Sequence, residues 1–150
     1  MIHRHVGHKL GLVPHQRKAL MRNLTLALLE NETIRTTRAR ASALVWFADR
    51  MVTLGKAGDE PSRRRIFQLL GSTQSNNGGN RVTRAVANLY DSVVPRMKDR
   101  QGGYTQTILL ARRRPGDNAE MVIFQYLPGA DGDKDRADKK KPTKKKASEK

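Results

Sequence analysis

Apolar residues in this chain fall into four stripes at helical spacing and three short β-type runs, and no aromatic or large aliphatic residue occurs from Asp131 onward. That pattern decides which part of the chain can bury a core. Leu20, Leu24, Ala27 and Leu28 share one face of a helix that starts at Pro14, where a proline fits the first turn, and ends near Asn31. His15, Lys18 and Arg22 lie along another face of it. Thr33-Ile34-Arg35-Thr36 reads as a short strand, after which Thr36 or Thr37 can cap a second helix. The stripe of that helix is Ala41, Leu44, Ala48, Met51 and Val52, and Gly55 with Gly58 is expected to end it. A third helix runs from Asp59-Glu60-Pro61 to Leu70, and the polar, turn-rich segment 71–80 is a loop. Val82, Ala85, Val86, Leu89, Tyr90 and Val93 stripe a fourth helix, which Pro95 is expected to close. Gly102-Gly103 is a turn, and Tyr104 to Ala111 and Glu120 to Tyr126 are strands able to pair as a hairpin. Trp46, Phe47 and Phe67 fall in helical segments and read as core.

The chain has 150 residues, a length that suits one domain of ordinary size. Its organisation is a basic arm at 1–13, a folded body at 14–130 and a lysine-rich tail at 131–150 that is expected to be disordered. Charge is the second constraint: 30 Lys and Arg stand against 14 Asp and Glu, a formal net charge of +16. Residues 1–130 hold 17 Arg and 4 Lys, whereas the tail holds 1 Arg and 8 Lys. Arginine grips phosphate bidentately and stacks on bases, while lysine is a point charge. An arginine-rich body is therefore a shaped surface for a polyanion, with nucleic acid first. A merely solvated basic protein would not need so one-sided a balance.

Several functions are excluded at this level. With 0 Cys, disulfide scaffolds, thiolate zinc sites and cysteine nucleophiles are all ruled out. No stretch approaches the ~18 apolar residues of a membrane span, and the first residues carry no apolar signal region. The four histidines, at 3, 5, 8 and 15, have no acid near them before Glu30, so they fit base stacking or phosphate contact better than a metal. Glycine loops of the nucleotide-binding type are missing, no serine has a nucleophile-elbow context, and Asp49, Asp91, Asp99 and Asp117 are scattered. The chain reads as a binding protein without catalysis, metal, cofactor or small-molecule substrate. Backbone amides at the start of the second helix, flanked by Arg35, Arg38 and Arg40, can attract phosphate, although an ordinary threonine cap with solvated charges is also compatible. The clusters Arg63-Arg64-Arg65 and Arg112-Arg113-Arg114 favour phosphate contact, and the glycine pair lets backbone approach a ligand closely or simply turns the chain. A free nucleoid protein that packs duplex DNA would use the same charge, but a long continuous basic helix or tandem lysine repeat does not occur before the tail.

The opening HRHVGHKLG, the segment HQRKALMRNL at 15–24, IRTTRARAS at 34–42, DRQGGYTQTILL at 99–110 and RRRPGDNAEMVIF at 112–124 occur in that order. In this order and spacing the chain resembles the bacterial-type large-subunit ribosomal protein seventeen family over roughly residues 1–126. The resemblance implies an α/β (α+β) fold, about four helices packed on a small three-stranded mixed sheet. It implies a structural constituent of the large ribosomal subunit that binds large-subunit ribosomal RNA near the nascent-chain exit side, in one copy per subunit, in a bacterial cytoplasm. Neighbouring ribosomal proteins of families thirty-two and twenty-two are expected from it. A signature that opens at residue 3 is expected to leave no room for a presequence. The candidate RNA contacts are then His3, Arg4, His5, His8 and Lys9 on the arm, and His15, Arg17, Lys18 and Arg22 on the first helix. Arg35, Thr36, Thr37, Arg38 and Arg40 follow at the strand-to-helix turn, with Arg63 and Arg64 on the third helix. Arg100, Gly102, Gly103, Tyr104, Arg112, Arg113 and Arg114 complete the set around the hairpin. Alone, the arm is expected to be disordered and to fold into a groove of RNA on assembly.

Overall fold

The structure is a computed structural model that describes residues 8–71 and 81–128. His3, Arg4, His5, the loop at 72–80 and the lysine-rich tail lie outside the described residues. The elements run α1 (Pro14–Asn31), β1 (Thr33–Thr37), α2 (Arg38–Ala57), α3 (Glu60–Leu70), α4 (Arg81–Asn88), a π-helical turn (Leu89–Val93), α5 (Val94–Arg96), β2 (Thr105–Leu109) and β3 (Met121–Tyr126). The helices pack on one sheet, so the fold is α+β as the sequence implies.

The sheet order is β1-β3-β2, and both pairings are antiparallel. This corrects the mixed sheet expected from the resemblance. The β2–β3 hairpin supplies one antiparallel pair, and β1 lies on the free edge of β3 in the opposite direction, so no parallel crossover is needed. In the registers Ile34↔Phe124↔Thr107 and Thr36↔Val122↔Leu109, opposed residues share a face. Val122, Phe124 and Tyr126 alternate along the central strand and are all buried. They meet Leu28, Leu29, Leu44, Met51, Ile66 and Leu89 from the helices in a single core.

Local chemistry explains the boundaries. Pro14 opens α1, whose C-cap, Glu32, turns left-handed at φ 59° and donates its backbone N–H to the Leu28 carbonyl. Glu32 also receives Ser92 Oγ at 3.0 Å and pairs with Arg96 at 2.8 Å, which ties the end of α1 to the π-helical turn and α5. At the other helix junction, Arg81 meets both carboxylate oxygens of Glu30 at 2.6 and 2.7 Å, joining α1 to the start of α4.

Three further expectations are corrected. Gly55 lies inside α2, buried against Leu89 and Val94, and only Gly58, at φ +70°, ends the helix. Pro95 does not close the fourth helical segment. The π-helical turn before it, with the Val94 N–H bonded to the Leu89 carbonyl, widens the backbone so that the proline ring enters α5 instead of stopping the helix. Residues 8–13, the described part of the arm, contain a turn. Leu10 and Gly11 both take positive φ, and the Leu12 N–H donates to the Lys9 carbonyl at 3.2 Å, making a turn. Trp46 is not core: it is 71% exposed, because it lies two residues beyond Leu44 and so faces away from the buried stripe. Phe47, at the edge of that stripe, is half-buried, and Phe67 is buried.

Candidate nucleic-acid interface

The first group of predicted cations gathers where α1, α2 and α3 meet. His8 Nε2 lies 3.1 Å from Ser42 Oγ on α2, and Arg17 Nη1 donates to the Lys9 carbonyl at 3.4 Å. These two bonds hold residues 8–13 against the helices. Between the helices is a groove of about 730 Å³, lined by His8, Arg17, Lys18 and Arg22 together with Met21, Trp46, Phe47 and Leu69. Arg22 Nε donates to the Leu69 carbonyl at 3.1 Å, and its guanidinium lies 2.9 Å from where a Cβ on Gly71 would sit. Arg22 thus closes the last turn of α3 while its charge borders the groove. His15 is exposed on α1.

A second group surrounds the start of α2. Arg35, Arg38 and Arg40 are exposed, Thr37 is half-buried, and Thr36 is buried in the sheet. Thr37 occupies the N-cap position, but its side chain makes no cap hydrogen bond. Glu120 serves this helix start instead. Its carbonyl accepts the Arg38 N–H at 3.0 Å, and its carboxylate pairs with Arg38 at 3.0 Å and Arg113 at 3.6 Å. The guanidinium of Arg38, then that of Arg113, holds the Glu120 carboxyl below the usual glutamate range. The protein's own carboxylate therefore already meets part of the attraction of this helix start for an anion.

The remaining predicted residues sit apart from these groups. On α3, Arg64 pairs with Glu60 one turn earlier at 3.2 Å, and Arg63 lines a separate cavity of about 390 Å³ with Tyr90 and Asp91. In the hairpin loop Arg114 pairs with Asp117, whose carboxyl is thereby held down at about 2. Arg112 is exposed. Gly102 and Gly103 are exposed, and Gly103 turns the chain at φ +62° with open space beside it. Tyr104, expected at the RNA surface, is only 3% exposed, with Lys56 Nζ 5.4 Å from its ring centre. Tyr104 is buried in the core, and Thr36 in the sheet. Lys56 also donates to the Arg100 carbonyl at 2.5 Å and so fixes the turn that presents Arg100.

Lys9, His15, Lys18, Arg35, Arg40, Arg63, Arg100 and Arg112 have no ion-pair partner among the described residues. Arg38, Arg64, Arg113 and Arg114 do. Sequence reading missed both Trp46, whose phase along α2 was the available signal, and the internal anion Glu120, which no local pattern reveals. Among the described residues no cluster of three or more His, Asp or Glu could hold a metal, and no helix is long and apolar enough to cross a membrane.

The profile of the family described as ribosomal protein L17 matches residues 20–127. The chain belongs to the ribosomal protein L17 family. A relative in Ligilactobacillus salivarius, named large ribosomal subunit protein bL17, is 40% identical over 123 residues, covering 79% of this chain and 96% of its own. One of the same name in Staphylococcus carnosus is 42% identical over 119 residues, covering 79% and 97%. Another, in Syntrophotalea carbinolica, is 40% identical over 127 residues, covering 85% and 75%. As an L17 family member the chain is a structural ribosomal protein and not an enzyme. Its cationic groups are accordingly read for binding, with no reaction to assign.

Proposed function

We propose that this chain is a structural constituent of the bacterial large ribosomal subunit, where it binds large-subunit ribosomal RNA and holds it in shape. The observation that carries this reading is L17 membership across residues 20–127, the stretch that builds the helices and sheet. The electrostatics support it: the body carries the arginine excess, and among the described residues most of the cations around α1 and β1 are left without acidic partners. Lys9, Arg17 and Lys18 offer one group of positive charges, with His15 exposed on the same helix, and Arg35 and Arg40 another. His3, Arg4 and His5 extend the first group at sequence level. Contacts of this kind go to phosphate and fix register, so discrimination comes from RNA shape more than from base edges. The rigid core supplies the fixed spacing that such shape reading needs. Placement near the nascent-chain exit side, one copy per subunit, a cytoplasmic ribosome, and neighbours of families thirty-two and twenty-two belong to the same proposal.

Sedimentation of tagged full-length protein from lysate through a Mg²⁺-containing gradient, with and without EDTA, tests it. The expected result is co-migration with large subunits at one copy each, surviving DNase and lost on RNase treatment. Migration with DNA or as free protein would overturn the reading.

A further inference from the structure

We propose that the groove between α1, α2 and α3 receives an unstacked base of single-stranded RNA, which stacks on Trp46 while its flanking phosphates lie on Arg17 and Lys18. This deepens the ribosomal reading above and rests on it. Trp46 is a large aromatic side chain 71% exposed on a helix whose other large apolar residues are buried or half-buried. Phe47 lies beside it with ring centres 6.4 Å apart and planes inclined by 59°, so the indole borders a second ring. The groove is lined by apolar Met21, Phe47 and Leu69 and by cationic Arg17, Lys18 and Arg22.

Among the described residues no acidic residue lines the groove. A nucleotide has the matching pattern, a flat π-face on one side and a phosphate on the other. The volume of about 730 Å³ lies within the ~300–1,000 Å³ range of small-ligand sites. The Leu69 carbonyl accepts Arg22 Nε–H at 3.1 Å and favours this position of its guanidinium. The groove's charge is therefore partly built in before any ligand arrives. Base-on-aromatic stacking is tolerant of sequence and typical of single-strand binders. Duplex RNA keeps its bases stacked and cannot use such a site.

The chain has a single tryptophan, so its fluorescence reports on this groove alone. The experiment titrates the full chain with a five-nucleotide oligoadenylate, with an abasic ribose-phosphate oligomer of equal length, with an A-form RNA duplex and with an oligoglutamate peptide. Quenching by oligoadenylate alone is expected. The variants lack this reporter, so their binding is followed by the anisotropy of fluorescein-labelled oligomers: Trp46→Leu should weaken oligoadenylate binding by about 5- to 150-fold and leave abasic binding unchanged. Trp46→Phe should recover most of the loss. Because the indole is exposed, an unchanged melting temperature will show that both variants fold. Equal affinity for the abasic oligomer, an unaffected Trp46→Leu variant, or equal quenching by oligoglutamate would overturn the proposal. The gradient judges the ribosomal reading separately. Trp46→Leu protein that co-migrates with large subunits but has lost oligoadenylate affinity supports the groove as a base site. Wild-type protein absent from large subunits would remove the ribosomal reading, while the titration still decides the groove.

Discussion

Two aspartates show how local environment sets the sign of a pH effect. Asp49 is half-buried on α2, where it accepts Thr105 Oγ1 at 3.3 Å and the backbone N–H of Tyr104. Burial pushes its carboxyl above the usual aspartate range, against those two hydrogen bonds. The folded chain then holds this proton more tightly than the unfolded chain. Stability falls as pH rises from the ordinary aspartate value through the raised one, and stays lower above it. Asp49→Asn keeps an acceptor oxygen and removes the desolvated charge. It should raise the melting temperature at neutral pH and have no such advantage below the ordinary aspartate value; a variant less stable at neutral pH would contradict this. Asp117 has the opposite sign. Arg114 holds it at about 2, against an ordinary 3.8, so its contribution is present above 3.8 and is lost as pH falls through about 2. Its Oδ1 accepts the Ala119 N–H at 3.3 Å. The Ala119 amide shift, followed by NMR, should therefore titrate with a midpoint near 2, and a midpoint at the ordinary value would show the ion pair absent in solution.

Among the elements, the two glycines of α2 are expected to respond differently to one added methyl. A Cβ on Gly55 would lie 2.8 Å from Val94 Cγ2, so something must shift. The alanine gains ~1 kcal/mol of helix propensity, whereas overpacking costs ~1–3 kcal/mol. Gly55→Ala should lower stability in denaturant titrations, and Val94→Ala should cost less in that background than alone. Additive effects would mean that the contact is relieved elsewhere. Gly58 has open space but sits at φ +70°, so Gly58→Ala should cost ~1–2 kcal/mol through backbone strain alone. The same helix shows what the sequence made legible. Ala41, Leu44, Ala48, Met51 and Val52 are all buried, as their spacing requires. Helical phase is local, so a stripe reveals its own buried face. It also placed Trp46 outside, and reading that residue as core gave aromaticity more weight than phase. The π-helical turn was hidden because Pro95 stops an ordinary helix, and nothing adjacent marks the extra backbone turn. Strand order was hidden for a different reason: pairing joins Thr36 to Val122 across the chain, and the hydrophobic pattern of each strand alone does not say which neighbour it takes. At the candidate site, the list of cations could be read from sequence, but their pairing could not. Glu120 is far in sequence from Arg38 and reaches it only because β1 and β3 lie side by side.

Over the whole molecule, a charge of +16 is a field, yet the ion pairs divide it into parts with different uses. Arg114 is held by Asp117 within the hairpin loop, and Arg38 and Arg113 share Glu120. Arg35 and Arg40 are exposed with no acidic partner among the described residues. A phosphate reaching an unpaired arginine displaces only water and counterions, while one reaching Arg114 must compete with a carboxylate already in place. The salt dependence of RNA binding separates the two cases. If about 6–10 phosphates are contacted, affinity of the full chain for isolated large-subunit ribosomal RNA should drop by roughly 10³–10⁵ between 50 and 200 mM salt, on the scale known for duplex DNA. Removing one phosphate contact lowers the slope of log affinity against log salt by about 1. Arg35→Ala and Arg40→Ala are each expected to do so and to weaken binding with the melting temperature unchanged. Arg114→Ala should leave the slope nearly intact. Its effect should appear in the hairpin loop, through the loss of the Asp117 pair. Equal slopes for all three variants and the wild type would mean that the unpaired arginines are solvated charges, and that the interface lies on another part of the molecule.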